Sequence, residues 1–144
     1  MWTVTATVCF LGAWLSDPAP RAWRSSPLLW AGALTTLLLA DDMFQIHEEG
    51  AYGIVPYGEW TVPGLYAVLA VALGLRFRRF LAARETWLLV ASAALFALHV
   101  GFDEFVPGRH LLEDGFRFLG IVLWATFFVG AGLAAIARRP AATP

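Results

Sequence analysis

Five apolar runs divide the chain: Trp2–Leu15, Leu28–Ile46, Trp60–Leu75, Trp87–Val106 and Phe116–Ile136. A helix rises about 1.5 Å per residue, so about 20 residues cross a hydrocarbon core about 30 Å thick. The second, fourth and fifth runs reach that length. The third is slightly short, and Arg76, Phe77 and Phe80 extend it by snorkelling. The first has 14 residues and lacks the basic start of a signal peptide. It reads as a short helix or as the end of one that starts upstream. The breaks are turn signals: "SDPAPRAWRSSP" holds three prolines, "GAYGIVPYGEWTVPG" four glycines and two prolines, and "VPGRH" divides the last two runs. Each is short enough to join adjacent antiparallel helices.

These runs predict an all-α integral membrane bundle. It is one domain over residues 1–144, with four to five transmembrane helices at about 2–15, 28–48, 60–80, 86–106 and 112–137. Composition agrees. Hydrophobic residues are 59% of the chain and charged residues 15%, against about 45–50% apolar in soluble domains. So few charges could not cover a soluble domain of this size. The single cysteine, Cys9, excludes an internal disulfide.

All ten basic residues are arginine. With five crossings, Arg21, Arg24, Arg76, Arg78, Arg79, Arg84, Arg138 and Arg139 fall on one side, which the positive-inside rule makes cytoplasmic. The N-terminus is then outside and the C-terminus cytoplasmic, in a bacterial or archaeal plasma membrane. Asp41, Asp42, Glu48, Glu49, Glu59, Asp103, Glu104, Glu113 and Asp114 fall on the other side, with His47, His99 and His110. Only Asp17 and Glu85 accompany the arginines.

Asp41 is the fourteenth residue of its segment counted from Leu28, and His99 the fourteenth of its segment counted from Thr86. Both are expected at one depth, about 10 Å below the outer edge of the hydrocarbon. A charge at the bilayer centre costs about 2.5–3.5 kcal/mol, less toward the edge. The C-terminal end of the second helix also disfavours anions. Asp41 therefore needs compensation. Asp41, Gln45 and Glu48 form one stripe, with Asp42 and Glu49 at its margin. Ser92, His99 and Asp103 share a face of the fourth helix. His110, Glu113, Arg117, Gly120 and Trp124 share a face of the fifth.

Carboxylates and histidines projecting into a bundle from several helices are the donor set of di-iron and di-manganese sites. The usual Glu-x-x-His spacing is absent. Histidines with a carboxylate also suit zinc with an open position. The expected ligands are Asp41, His47, Glu48, His99, Asp103 and Glu113, with Asp42, Asp114 and Arg117 supporting. Each has a structural reading as well. Glu113 and Asp114 open a helix, where acids are ordinary. His110 and Glu59 are solvated. Arg117 makes an ion pair with Asp103 or Glu113. Tryptophans and tyrosines such as Trp60, Tyr52 and Tyr57 form an interfacial belt. The arginines contact lipid phosphate.

The stretches "LLLADDMFQIHEE" and "LLEDGFRFLGIVLW" resemble a group of small, uncharacterised multi-pass bacterial membrane proteins. That group has a DD-x4-HE segment and an acidic pair before its last helix. The resemblance implies the layout of the second to fifth segments and no settled activity. The group carries lysine where Arg117 stands.

Three functions fit the pattern. The first is a membrane-embedded site for iron, manganese or zinc, acting on a lipid or other apolar substrate as an oxidase, hydroxylase or hydrolase. The second is a proton or cation pathway, which the dry cytoplasmic half opposes: only Thr35 and Thr36 lie below Asp41, and Ser92 below His99. The third is an accessory or structural subunit of a larger membrane complex. Membrane lipids, a homo-oligomer or a larger complex are the expected partners. The acidic outer face opposes nucleic acid, and no phosphate loop, nucleophile elbow or cysteine pair is present.

Overall fold

A computed structural model of the chain describes residues 1–16, 25–44, 58–105 and 110–138, less the side chains of 58–60, 103–105 and 110. These residues form six helices, and there is no strand among them. They are α1 (Trp2–Ser16), α2 (Pro27–Phe44), α3 (Gly58–Arg76), α4 (Arg78–Ala82), α5 (Thr86–Phe105) and α6 (His110–Ala137). The fold is all-α.

Local chemistry sets several boundaries. At the start of α2 the Leu29 N–H donates to Ser26 Oγ at 3.4 Å, with Pro27 at the first helical position. Serine at the cap and proline after it is a standard helix start. The spacing predicts one helix over 60–80, but α3 ends at Arg76. Phe77 leaves helical geometry at φ −113° and ψ 23°, and the five-residue α4 follows. The apolar run has ended at Leu75, and like charges at i and i+3 (Arg76 and Arg79) do not favour a continued helix. Thr86 then ties α5 to the preceding turn, its hydroxyl donating to the Leu81 carbonyl at 2.8 Å.

In the packing order, α1 lies between α2 and α6. α5 packs along the other side of α6, and α3 touches α2 more lightly. α1 and α6 run parallel, and small residues let them approach closely. A Cβ at Gly132 would stand 2.7 Å from Val8 Cγ1 and 2.8 Å from the Val8 carbonyl oxygen. A Cβ at Gly12 would meet Gly132 and Leu28 at 3.1 Å. The core joins Cys9 and Ala13 of α1, Leu28 and Ala31 of α2, Leu88 of α5, and Phe127, Phe128 and Ala131 of α6.

Buried polar groups in this half are bonded locally or across helices. Thr35 donates to the Ala31 carbonyl at 2.8 Å and accepts from Trp124 Nε1 at 3.1 Å. Ser92 donates to the Gly120 carbonyl at 2.8 Å, tying α5 to α6. Outward, the helices present large apolar side chains, including Val4, Trp14, Trp30, Val68, Leu75, Trp87, Phe118 and Leu133. Two helical stretches, Pro27–Phe44 and Leu111–Ala137, are long and apolar enough to cross a membrane. Trp2–Ser16, Thr61–Arg76 and Thr86–Phe102 are apolar but shorter.

Candidate functional site

The antiparallel course of the helices brings the last turns of α2 and α5 to the same end as the first turns of α3 and α6. Asp41 and Asp42, in the last turn of α2, lie at that end. Asp41 and Asp42 point about 100° apart around α2, and they meet different neighbours. Asp41, 8% exposed, faces α3, where its carboxylate and the Tyr66 hydroxyl are hydrogen-bonded. Asp42 faces α6, where its carboxylate accepts from Arg117 in a part-exposed ion pair. Two anions at a helix C-terminus are thus each met by a donor from another helix, which offsets the unfavourable dipole.

A second pair lies one turn away on the helix that carries Arg117. Glu113 lies one turn before it on the same face of α6. The Glu113 Oε1 stands 3.8 Å from His99 Nδ1 of α5. That is an ion-pair distance for a protonated ring and too long for a hydrogen bond. His99 Nδ1 is in fact buried with no hydrogen-bond partner among the described residues. At this level Trp2 of α1 stacks on Phe96, one turn before His99, at 6.5 Å between centroids. Phe102 and Phe116 close the α5–α6 seam beside the pair, 5.1 Å apart.

The expected residues therefore fall into separate groups. The structure brings His99 to Glu113 and Asp42 to Arg117, about one turn apart along α6. Asp41 is at the same end but turned to α3. Asp114 is exposed beside Glu113. His47, Glu48, Glu49 and Glu59 lie outside the described residues or side chains, as do the side chains of Asp103, Glu104 and His110. Among the described residues no group of three or more His, Cys, Asp or Glu side chains is placed to hold a metal ion.

Two relationships differ from what the helical faces predict. Among the described residues Arg117 pairs with Asp42, which the helical faces do not single out; the Asp103 side chain lies outside the described ones. The compensation for Asp41 comes from Tyr66, which the sequence pattern does not single out. A signal for it exists: Tyr66 is the one tyrosine that lies inside an apolar run away from its ends, since Tyr52 and Tyr57 precede the third run.

The model of a family described as a domain of unknown function, DUF8692, matches residues 1–131, and the chain belongs to that family. No curated protein and no solved structure matches it.

Proposed function

We propose that this member of the DUF8692 family is a multi-pass membrane protein whose polar layer, in the extracytoplasmic leaflet, holds a metal ion at His99 and Glu113. The membrane part rests on where the apolar surface lies. Only 33% of each crossing-length stretch is buried inside the bundle, unlike the core helix of a soluble fold. Large apolar side chains point outward on every long helix, a surface that hydrocarbon suits and water does not. The arginine asymmetry orients the chain with the N-terminus outside and the α3–α5 turn cytoplasmic.

The single observation that carries the metal reading is the His99 ring nitrogen. It is buried, unbonded among the described residues, and 3.8 Å from a carboxylate oxygen. Zinc binds nitrogen and carboxylate oxygen at about 2.0–2.2 Å in a tetrahedron, so two donors on one ion stand about 3.4 Å apart, a few tenths of an ångström closer than the 3.8 Å seen here. An imidazole and a carboxylate suit iron, manganese and zinc alike. Of the other expected ligands, Asp41 is hydrogen-bonded to Tyr66, and His47, Glu48 and the Asp103 side chain are outside the described set. An ion held in that leaflet would meet acyl chains, which makes a lipid or other apolar molecule the substrate class of a reaction there.

A second reading treats the layer as a structural clamp of an accessory subunit. The Asp42–Arg117 and Asp41–Tyr66 pairs favour it, since the first neutralises an acid, the second gives one a hydrogen-bond donor, and each ties two helices together. The pathway reading is weakened by Thr35 and Ser92. Their hydroxyls are committed to the Ala31 and Gly120 carbonyls, so neither continues a relay toward the cytoplasm among the described residues.

Elemental analysis of detergent-purified protein, supplied with iron, manganese and zinc, separates the two readings. The metal reading expects a stoichiometric ion in the wild type, lost in His99→Ala and in Glu113→Gln and kept in Glu85→Gln at the other end. A wild type free of metal under that supply leaves the clamp.

A further inference from the structure

The end of the bundle opposite the polar layer carries a groove of about 410 Å³, lined by Pro27, Arg76, Phe77, Arg78, Arg79 and Phe80. The size falls in the range of small-molecule sites, about 300–1,000 Å³. The helix break at Phe77 gathers it, because α3 ends on Arg76 and α4 opens on Arg78 and Arg79. Pro27, at the first position of α2, forms another part of the wall. None of the three arginines has an ion pair among the described residues. The Arg76 guanidinium lies over the Phe77 ring at 5.3 Å, and Arg84 covers Phe80 at 5.1 Å. These cation–π contacts set guanidinium groups against the aromatic side of the groove.

We propose that this groove binds the phosphate of an anionic phospholipid. Guanidinium groups match phosphate oxygens in a two-pronged geometry, and three arginines with no ion pair among the described residues line the groove. Phe77 and Phe80 supply an apolar wall for the glycerol and first acyl carbons. The groove lies at the end of α2 about 20 Å from Asp41, at 1.5 Å per residue, where a headgroup layer would fall. The proposal rests on the membrane reading above. Orientation by arginine alone would need the charges in the turn, with no groove and no aromatic wall.

The test uses detergent-purified full-length protein and three probes: phosphatidylglycerol, phosphatidylcholine and free glycerol phosphate, with bound lipid read by native mass spectrometry. Phosphatidylglycerol binds in preference to phosphatidylcholine, and added salt weakens the first and spares the second. Each basic residue near an anionic lipid surface is worth about fivefold in affinity. The double variant Arg78→Gln/Arg79→Gln therefore loses about 25-fold for phosphatidylglycerol. Arg138→Gln, an exposed arginine outside the groove, loses none. Equal binding of the two lipids by the wild type, or its insensitivity to salt, overturns the proposal without any variant. Full competition by glycerol phosphate at matched concentration overturns it in favour of a soluble phosphate ligand. Recovery of the protein in the aqueous fraction without detergent would sink the membrane reading instead, which keeps the two failures distinct.

Discussion

Arg117 of α6 donates to the carboxylate of Asp42 on α2, one helical turn from the point where Glu113 of the same helix meets His99 of α5. One helix thus links both pairs. An exposed ion pair in water contributes about 0.2–1 kcal/mol, and a charge-assisted hydrogen bond shielded from water about 1.5–3 kcal/mol. The two side chains are 33% and 35% exposed within the chain itself, so the medium around them decides. A double-mutant cycle of Asp42→Asn and Arg117→Gln, read by unfolding in lipid bicelles, is expected to give a coupling above about 1.5 kcal/mol. A coupling near zero would place the pair in water. Arg117→Lys keeps the charge and retains part of the coupling.

The α1–α6 seam gives a stability prediction independent of any function. A Cβ at Gly132 would collide with the Val8 backbone and side chain, whereas one at Gly130 or Gly74 meets nothing within 4 Å. Overpacking costs about 1–3 kcal/mol, and a helix-interior Gly→Ala change without a clash gains up to about 1 kcal/mol. Thermal unfolding in detergent is expected to fall clearly for Gly132→Val and to hold or rise for Gly74→Ala. Equal effects at the two positions would show that α1 and α6 do not approach as described.

The helical character was readable because hydrophobic runs and Pro/Gly breaks are local signals. Leu28–Ala40 announces α2, and the break "SDPAPRAWRSSP" precedes its start at Pro27. The polar end was also readable: Asp41, Asp42, His99, Glu113 and Arg117 were expected at one end, and they are there. What local signals do not carry is the azimuth of one helix against another. Arg117 could be matched along its own helix with Glu113, but its match to Asp42 depends on how α6 rotates against α2. Tyr66 was missed for the same reason, since its role appears only once α3 is set beside α2. The break at Phe77 is a local event, but snorkelling arginines read equally well as a helix extension.

Topology can be checked with single cysteines in a Cys9→Ala background. Cys9 is fully buried in the core, and its thiol donates weakly to the Phe128 carbonyl, at 4.0 Å. Alanine there is expected to fold with a modest loss. A cysteine at Ala83, exposed in the α4–α5 turn, should resist an impermeant thiol reagent added to intact cells, and one at Gly53 should react. Labelling at position 83 from outside would reverse the orientation, and with it the assignment of the polar layer to the extracytoplasmic leaflet.

The buried Asp41 separates a structural from a ligand role most directly. Its hydrogen bond with Tyr66 joins α2 to α3, two helices that otherwise pack lightly. Tyr66→Phe removes that donor from a buried carboxylate, a loss of about 1–3 kcal/mol. Asp41→Asn keeps an acceptor for the tyrosine hydroxyl and removes a charge that is costly to bury unless fully paired. If the role is structural, unfolding in bicelles ranks Tyr66→Phe as the less stable variant, with Asp41→Asn near wild type. Both variants then keep whatever metal the wild type holds. If Asp41 is a ligand, the order in metal content reverses: Asp41→Asn loses the ion and Tyr66→Phe retains most of it. Stability and metal content measured on the same two preparations therefore assign the residue. The hydrogen bond to Tyr66 leads us to expect the first pattern, with His99 and Glu113 as the positions where metal is lost.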